Sequence, residues 1–139
     1  MALTRRYFLV TGTGALAAAG LGLPALASAT DDAIAAFTGG APVADGGVTL
    51  TAPEIAENGN TVPIEVDAPG ASEIIILADG NPLPGVATFM FGPMAAARSG
   101  STRIRLAGTQ NVIAVAKMED GTFAKAQAAV KVTIGGCGG

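Results

Sequence analysis

One residue of this 139-residue chain carries a side chain suited to covalent chemistry at neutral pH without a resident base: Cys137, the only cysteine, set in Gly135-Gly136-Cys137-Gly138-Gly139. Glycine has no Cβ and samples conformations closed to other residues. Four glycines around one thiol read as a flexible tether. Buried structural cysteines are packed among apolar neighbours, and this one has no neighbouring side chain. A thiol on such a tether can be loaded with a group and presented to other proteins. Five residues of chain reach about 17 Å at most, and with no side chain but the thiol the arm would enter a narrow channel.

The rest of the composition narrows the chemistry. Histidine is absent, which removes the common general base and any Cys-His dyad. One cysteine without histidine makes no typical zinc site, and no cofactor is expected. Gly12-x-Gly14 precedes no strand-to-helix unit, so it is not a nucleotide fingerprint. Asp31-Asp32 and Glu119-Asp120 read as a helix start and a turn, not as a catalytic acid pair. The basic residue nearest to Cys137 in sequence is Lys131. An unperturbed thiol of pKa about 8.5 is roughly 3% thiolate at pH 7, so loading enzymes must supply the activation. The chain is expected to be a covalent substrate of other enzymes and not itself an enzyme.

The front of the chain reads as an address. Arg5-Arg6 stand directly before the uncharged stretch from Tyr7 to Leu26, which is diluted by glycines and broken by Pro24. Ala27-Ser28-Ala29 supplies a small-x-small cleavage site. The pattern resembles the twin-arginine signal, which exports folded proteins, and argues against a stable membrane anchor. Cleavage after Ala29 would take two of the 8 basic residues away and leave 6 against 11 acidic. That acidity argues against a nucleic-acid partner. The expected destination is the periplasm, where an odd cysteine implies an intermolecular bond or a reactive thiol.

Residues 30–134 must position the arm, and they read as one β domain between the signal (1–29) and the arm (135–139). Asp31 to Phe37 is expected to form a short helix capped by Thr30. Strands are expected at Val48–Thr51, Thr61–Asp67, Glu73–Ala78, Val86–Phe91, Ser101–Ala107, Asn111–Met118 and Phe123–Ile134. Val62, Ile64 and Val66 alternate onto one face, and Pro63 among them hints at an edge or bulge. Ile74-Ile75-Ile76-Leu77 does not alternate, so that strand is expected to be covered on both faces. The first half of the last strand, with Ala124 and Ala126–Ala129, is helix-friendly. Some seven strands between turn residues predict an all-β, immunoglobulin-like antiparallel β-sandwich. The last strand runs straight into the arm and should fix its base.

These features together resemble the SoxY family, the thiosulfate carrier of the bacterial sulfur-oxidising (Sox) system. The resemblance covers nearly the whole chain. It rests most on Val132-Thr133-Ile134-Gly135-Gly136-Cys137-Gly138-Gly139, and also on Ala52–Gly59, Val86–Phe89, Gln110–Lys117 and the export signal. The loop between Val66 and Glu73 is short for the family. The resemblance implies a heterodimer with a SoxZ-like β-sandwich subunit. It implies loading of Cys137 with thiosulfate by a c-type cytochrome (SoxAX), giving a cysteine S-thiosulfonate. It further implies sulfate release by a hydrolase (SoxB), and in some systems oxidation of the remaining sulfane by a dehydrogenase (SoxCD). Cys137 would carry the chemistry, with Gly135, Gly136, Gly138 and Gly139 as the arm. Part of the apolar surface of Ile74–Leu77 and Phe89–Phe91 is expected to meet the partner. Two other readings stay open: a Gly-Gly-ended thiocarboxylate sulfur carrier, and a structural β domain linked by Cys137 disulfides.

Overall fold

A computed structural model describes residues 25–134. Arg5, Arg6 and the stretch Gly135 to Gly139, Cys137 included, lie outside the described residues. Among the described residues, one helix and nine strands form two layers of sheet with the helix on the outside.

Helix α1 spans Ala25–Thr38, longer at its start than the Asp31–Phe37 segment the sequence suggests. It runs through Ala27 and Ala29, because alanine and leucine are strong helix formers and nothing local stops the helix at Thr30. Thr30 is therefore an interior helical residue and not its cap; it is buried, and its hydroxyl has no hydrogen-bond partner. The other end is closed by a Schellman arrangement. Gly39 takes the left-handed conformation at φ 66°, and the Gly40 amide donates to the Ala35 carbonyl at 3.2 Å, which a residue with a Cβ would disfavour.

The larger sheet has the order β1 (Val43–Asp45), β9 (Phe123–Val132), β8 (Gln110–Met118), β5 (Ala71–Ala78), β6 (Gly85–Met90), with β3 (Ile55–Ala56) also pairing β9. The smaller sheet has the order β2 (Thr49–Thr51), β4 (Val62–Asp67), β7 (Ser99–Ile104). All pairings are antiparallel except those of β1 and β3, which run parallel to β9. The segment from Val43 to Ala56 thus follows the β9 edge, joining the larger sheet at both ends and the smaller sheet in its middle. That path ties one side of the sandwich shut. Strands of two or three residues have no readable periodicity, so only the middle one is legible in the sequence.

Pro63 lies on β4, the centre strand of the smaller sheet, yet its missing amide does no harm. β2 reaches along β4 only from Asp67 to Glu65, so at Pro63 the strand has one neighbour, β7. The early end of β2 leaves a groove of about 600 Å³ beside Pro63, Glu65 and Arg103. The Asp120-Gly121 turn closes the β8–β9 hairpin, with the Met118 amide donating to the Thr122 carbonyl. Thr122 donates to the Asp120 carboxylate from both its hydroxyl, at 2.6 Å, and its amide. Those bonds, the hydroxyl's foremost, hold the Asp120 pKa below its ordinary value.

Val62, Ile64 and Val66 alternate inward as read, and meet Ile74, Ile76, Val112 and Ala114 across the sandwich. β5 is covered on both faces, also as read, but its cover is part of this chain. Ile74 and Ile76 face the sandwich core, while Ile75 and Leu77, with Ile113 and Val115, lie beneath Ala33, Ile34 and Phe37 of α1. The Phe37 ring meets the Phe123 ring edge-on at 5.8 Å. The expectation that Ile74–Leu77 awaits a partner is thus corrected: α1 supplies the apolar face that β5 needs. Ala124 to Ala129 are strand, not helix, because β9 is drawn between β8 and the β1–β3 segment.

On the other side of the sandwich, between β6 and β7, Phe89 packs against the core beside Val86, Ala87 and Phe91. Its ring lies directly on Gly100, where a Cβ would stand 2.5 Å from the ring. Gly100→Ala is expected to force the ring aside and to cost about 1–3 kcal/mol, in the range of overpacked cores. Gly85→Ala, where a Cβ meets nothing within 4 Å, is the control in thermal unfolding. Equal melting temperatures for the two variants would refute the wedge.

Candidate functional site

The feature the sequence singles out is an arm leaving β9, and the structure shows how its root is held. On one flank the Lys131 amide donates to the Glu54 carbonyl at 2.9 Å and the Thr133 amide to the Ala56 carbonyl at 3.0 Å. The Thr133 hydroxyl adds a bond to the Glu57 carbonyl at 3.0 Å. The last carbonyl described, that of Ile134, accepts from the Gly59 amide at 2.8 Å. Gly59 belongs to the Glu57–Asn60 turn, tightened by the Asn60 amide bonding back to the Asn58 side-chain oxygen. On the other flank, Thr109 and Val132 bond reciprocally. The Val132 amide donates to the Thr109 hydroxyl oxygen at 3.0 Å, and that hydroxyl reaches the Val132 carbonyl at 3.4 Å. β9 is therefore gripped from both sides up to Val132, and the Gly59 bond extends the hold on one side to Ile134, the last described residue.

Thr109 is itself held by a network of neutral amides. Gln110 accepts from the Gly80 amide at 2.8 Å and donates to Asn81 and to the Gly108 carbonyl. Asn81 also accepts from the Ala107 amide and donates to the Arg105 carbonyl, both at 2.8 Å. Asp79 accepts twice from Asn111, through its backbone and side-chain amides. Asn81 and Gln110 are each only 8% exposed, and every polar atom of their side chains has a partner, as burial demands. The network joins the Asp79–Pro84 loop, the Leu106–Thr109 loop and the start of β8 into one rigid end. Leu106 continues it by donating to the Gly59 carbonyl.

Sequence reasoning placed the last strand but missed Thr109, Gly59, Asn81 and Gln110. Asparagine in a turn and glutamine before an apolar strand read as solvent-facing. The available signal was Gln110 standing two residues before the uninterrupted Val112-Ile113-Ala114-Val115 run, where both faces are buried.

The charges about this end are informative. Among the described residues the one ion pair, Arg98 with Glu119 at 2.8 Å, lies at the opposite end of the sandwich. There Arg98 also donates to the Ala71 and Phe91 carbonyls. Beside Thr109 a hollow of about 390 Å³ is lined by Thr30, Asp31, Asp79, Gly80, Gln110 and Ile113. Two carboxylates in its wall make it a poor home for an anion. No group of three metal-ligating side chains occurs among the described residues. Of the residues singled out in the sequence, Ala27 and Ala29 lie within α1. No helix among the described residues is long and apolar enough to cross a membrane.

A chain without histidine, whose single cysteine follows a firmly held strand in sequence, is the setting for the comparison with known proteins. The model of the sulfur oxidation protein SoxY matches residues 34–137, from within α1 through the cysteine.

The chain belongs to the SoxY family.

Among solved structures, the sulfur carrier protein SoxY from Chlorobium limicola f thiosulfatophilum is 41% identical, with a TM-score of 0.68 over 78% of this chain and 99% of that one. Superoxide reductase (neelaredoxin) from Ignicoccus hospitalis is 15% identical with a TM-score of 0.56, over 63% of this chain and 80% of that one. A putative superoxide reductase from Thermotoga maritima is 16% identical with a TM-score of 0.52, over 69% and 89%. These last two share the fold alone. No curated protein matches the chain. The sandwich is thus shared with the Chlorobium carrier, and among the described residues of this chain one helix lies on the outer face of the larger sheet.

Proposed function

We propose that this SoxY-family chain is a periplasmic sulfur carrier that holds thiosulfate-derived intermediates covalently on Cys137. The observation that carries the reading is the root of the arm. β9 is hydrogen-bonded on both flanks up to Val132 and the chain on one flank to Ile134, and Cys137 follows three residues after Ile134. Three residues of chain place the Cys137 Cα at most about 11 Å from that fixed point, so an enzyme that recognises the rigid end finds the cysteine within a small volume. Family membership and the carrier from Chlorobium support the same role.

The chemistry asked of the chain is small. The Cys137 thiol loses its proton, and its sulfur bonds to the outer sulfur of thiosulfate, giving a cysteine S-thiosulfonate. Two electrons leave in that step, to a c-type cytochrome of the SoxAX kind. Water then cleaves the terminal sulfone as sulfate through a hydrolase of the SoxB kind, and the sulfane sulfur stays on the cysteine. A dehydrogenase of the SoxCD kind would oxidise that sulfane where it is present. With no histidine in the chain, activation of the thiol belongs to these enzymes. A SoxZ-like subunit completes the carrier. Export by the twin-arginine route through Arg5 and Arg6, with cleavage after Ala29, brings it to the periplasm, and folded export lets the partner travel with it.

Mass spectrometry of the protein after turnover with thiosulfate and its loading cytochrome tests this reading. The expected result is a thiosulfate or sulfane adduct confined to the peptide that contains Cys137. Sulfur on the Gly139 carboxylate, or disulfide dimers alone, would overturn it.

A further inference from the structure

Thr30 sits in a place that does not suit its type. It lies inside α1, it is only 5% exposed, and its hydroxyl has no hydrogen-bond partner. A buried hydroxyl without a partner is costly. Threonine is a poor interior helical residue and a preferred one at a helix start, where its oxygen accepts from an amide two or three residues on. Asp31 and Asp32 follow it. Carboxylates are favoured in the first turn of a helix, where unpaired amides leave partial positive charge. Yet α1, starting at Ala25, has no acidic residue in its first turn. Thr30-Asp31-Asp32 has the chemistry of a helix start but stands well inside the helix.

Cleavage after Ala29 would move the start to it. Hydrolysis of the Ala29–Thr30 peptide bond consumes one water, leaves a carboxylate on Ala29 and frees an ammonium on Thr30. It also removes the carbonyls of Leu26, Ala27, Ser28 and Ala29, to which the amides of Thr30, Asp31, Asp32 and Ala33 bond in a continuous helix. What remains is Thr30–Thr38, still seated on the larger sheet through Ala33, Ile34 and Phe37. The Thr30 hydroxyl then stands at the cap, where it can accept from the Asp32 or Ala33 amide. The new ammonium stands at the positive end of the helix, which repels it, so it needs a counter-charge.

The hollow of about 390 Å³ beside Thr109 supplies one. Thr30 and Asp31 line it from α1, and Asp79 lines it from the end of β5. Asn111 orients the Asp79 carboxylate, its backbone amide donating to Oδ1 at 2.9 Å and its side-chain amide to Oδ2 at 3.1 Å. Each carboxylate oxygen accepts more than one bond, so both can accept again. Among the described residues neither Asp31 nor Asp79 belongs to an ion pair. The rest of the wall is uncharged: Gly80 beside Asp79, Thr109 before β8, and Gln110 and Ile113 on β8. Two carboxylates in an otherwise uncharged wall suit a cation, and the new terminus brings one on Thr30 itself.

We infer that this hollow is the binding site of the mature amino terminus: Asp31 and Asp79 hold the Thr30 ammonium, and the Thr30 hydroxyl caps the shortened helix. The lock depends on cleavage after Ala29, as the carrier reading has it. It gives processing a consequence for the arm. Asp79 holds Asn111 at the start of β8, beside Gln110 and Thr109, and Thr109 grips Val132. Pairing with carboxylates raises the amine pKa, so the lock stabilises the fold at neutral pH and is lost as the pH rises through the raised value.

The protein purified after export provides the test. Intact mass identifies its first residue, and NMR follows titration of the α-amine, labelled by reductive methylation that keeps its charge. The expected first residue is Thr30. The expected midpoint lies at least about half a unit above that of the same amine in the urea-unfolded chain, about threefold less neutral amine at a given pH. A helix-start ammonium without a counter-charge would titrate below it. Asp79→Asn is expected to bring the midpoint down to the unfolded value or lower, with Asp31→Asn as the second variant, whereas Glu65→Gln on the smaller sheet leaves it unchanged. Thr30→Val is expected to lower the melting temperature of the processed protein by about 4 °C, the effect of a lost cap in a domain of this size. The same change in the unprocessed full chain, made in a cell-free system, is expected to leave its melting temperature unchanged. A first residue other than Thr30 would overturn the cleavage site and the lock with it. A chain that begins at Thr30 but whose amine titrates at or below the unfolded value, or in which Thr30→Val melts as the wild type does, would overturn the lock and leave the carrier reading standing.

Discussion

Cys137→Ser is expected to abolish loading by at least about a thousandfold, in line with losses on removing a lone nucleophile, while leaving the melting temperature unchanged. The bond to be made joins two sulfurs with loss of two electrons, and an alcohol oxygen cannot take the place of the thiolate. No neighbouring group can compensate: the chain has no histidine and no second cysteine. Stability is expected to hold because the described hydrogen bonds of β9 end at the Ile134 carbonyl. Thiosulfate-dependent reduction of the loading cytochrome is the readout, with thermal unfolding beside it. A Cys137→Ser protein that still supports cytochrome reduction would refute the carrier mechanism. A large fall in melting temperature would instead show that the thiol serves the fold.

Asn81→Ala is expected to have the largest effect on stability among single polar substitutions. The change deletes bonds to the Arg105 carbonyl, the Ala107 amide and Gln110 in a buried place. Each buried group left without a partner costs about 1–3 kcal/mol, with water relieving part of the loss at the margins. A total of about 2–4 kcal/mol is a large share of the 5–15 kcal/mol that holds a domain together. The loss should also loosen the arm's root, because Thr109 precedes Gln110 and grips Val132. Amide exchange at Val132 is therefore expected to accelerate in Asn81→Ala, well below the denaturation midpoint. Thr109→Val is the companion variant: it removes the grip without breaking the network, so exchange at Val132 should rise with little change in melting temperature. A protected Val132 amide in both variants would show that β3 and the Gly59 turn hold the root unaided.

Much of the scaffold was legible because it follows period two. Val62, Ile64 and Val66 can face only one way, and a run such as Ile74–Leu77 has no side to give to water. The same logic cannot say what covers the second face. A partner subunit and a helix of the same chain present the same apolar demand to β5, and only the packing of Ala33, Ile34 and Phe37 decides for the helix. Local propensity misled at one place: Thr30 carries the signs of a cap, but a cap yields to helix-forming residues upstream. Ala124–Ala129 are helix-friendly, yet the expected strand forms, because alanines yield to a ladder offered from both sides.

The candidate site divides along the same line. A single thiol, the glycines around it, the missing histidine and the strand behind the arm are properties of residue type and order, so they are read directly. The grip on that strand depends on residues brought together from distant parts of the chain. Thr109 meets Val132, Gly59 meets Ile134, and Asn81 meets Gln110, each across more than twenty residues. Hydrogen bonds of that separation leave no periodicity and no composition bias, since each needs one donor and one acceptor at a place set by the sheet. Residue chemistry therefore singles out Cys137 as the thiol that the proposed carrier would load, and the tertiary structure alone settles how firmly the strand before it is held, and at which end of the sandwich.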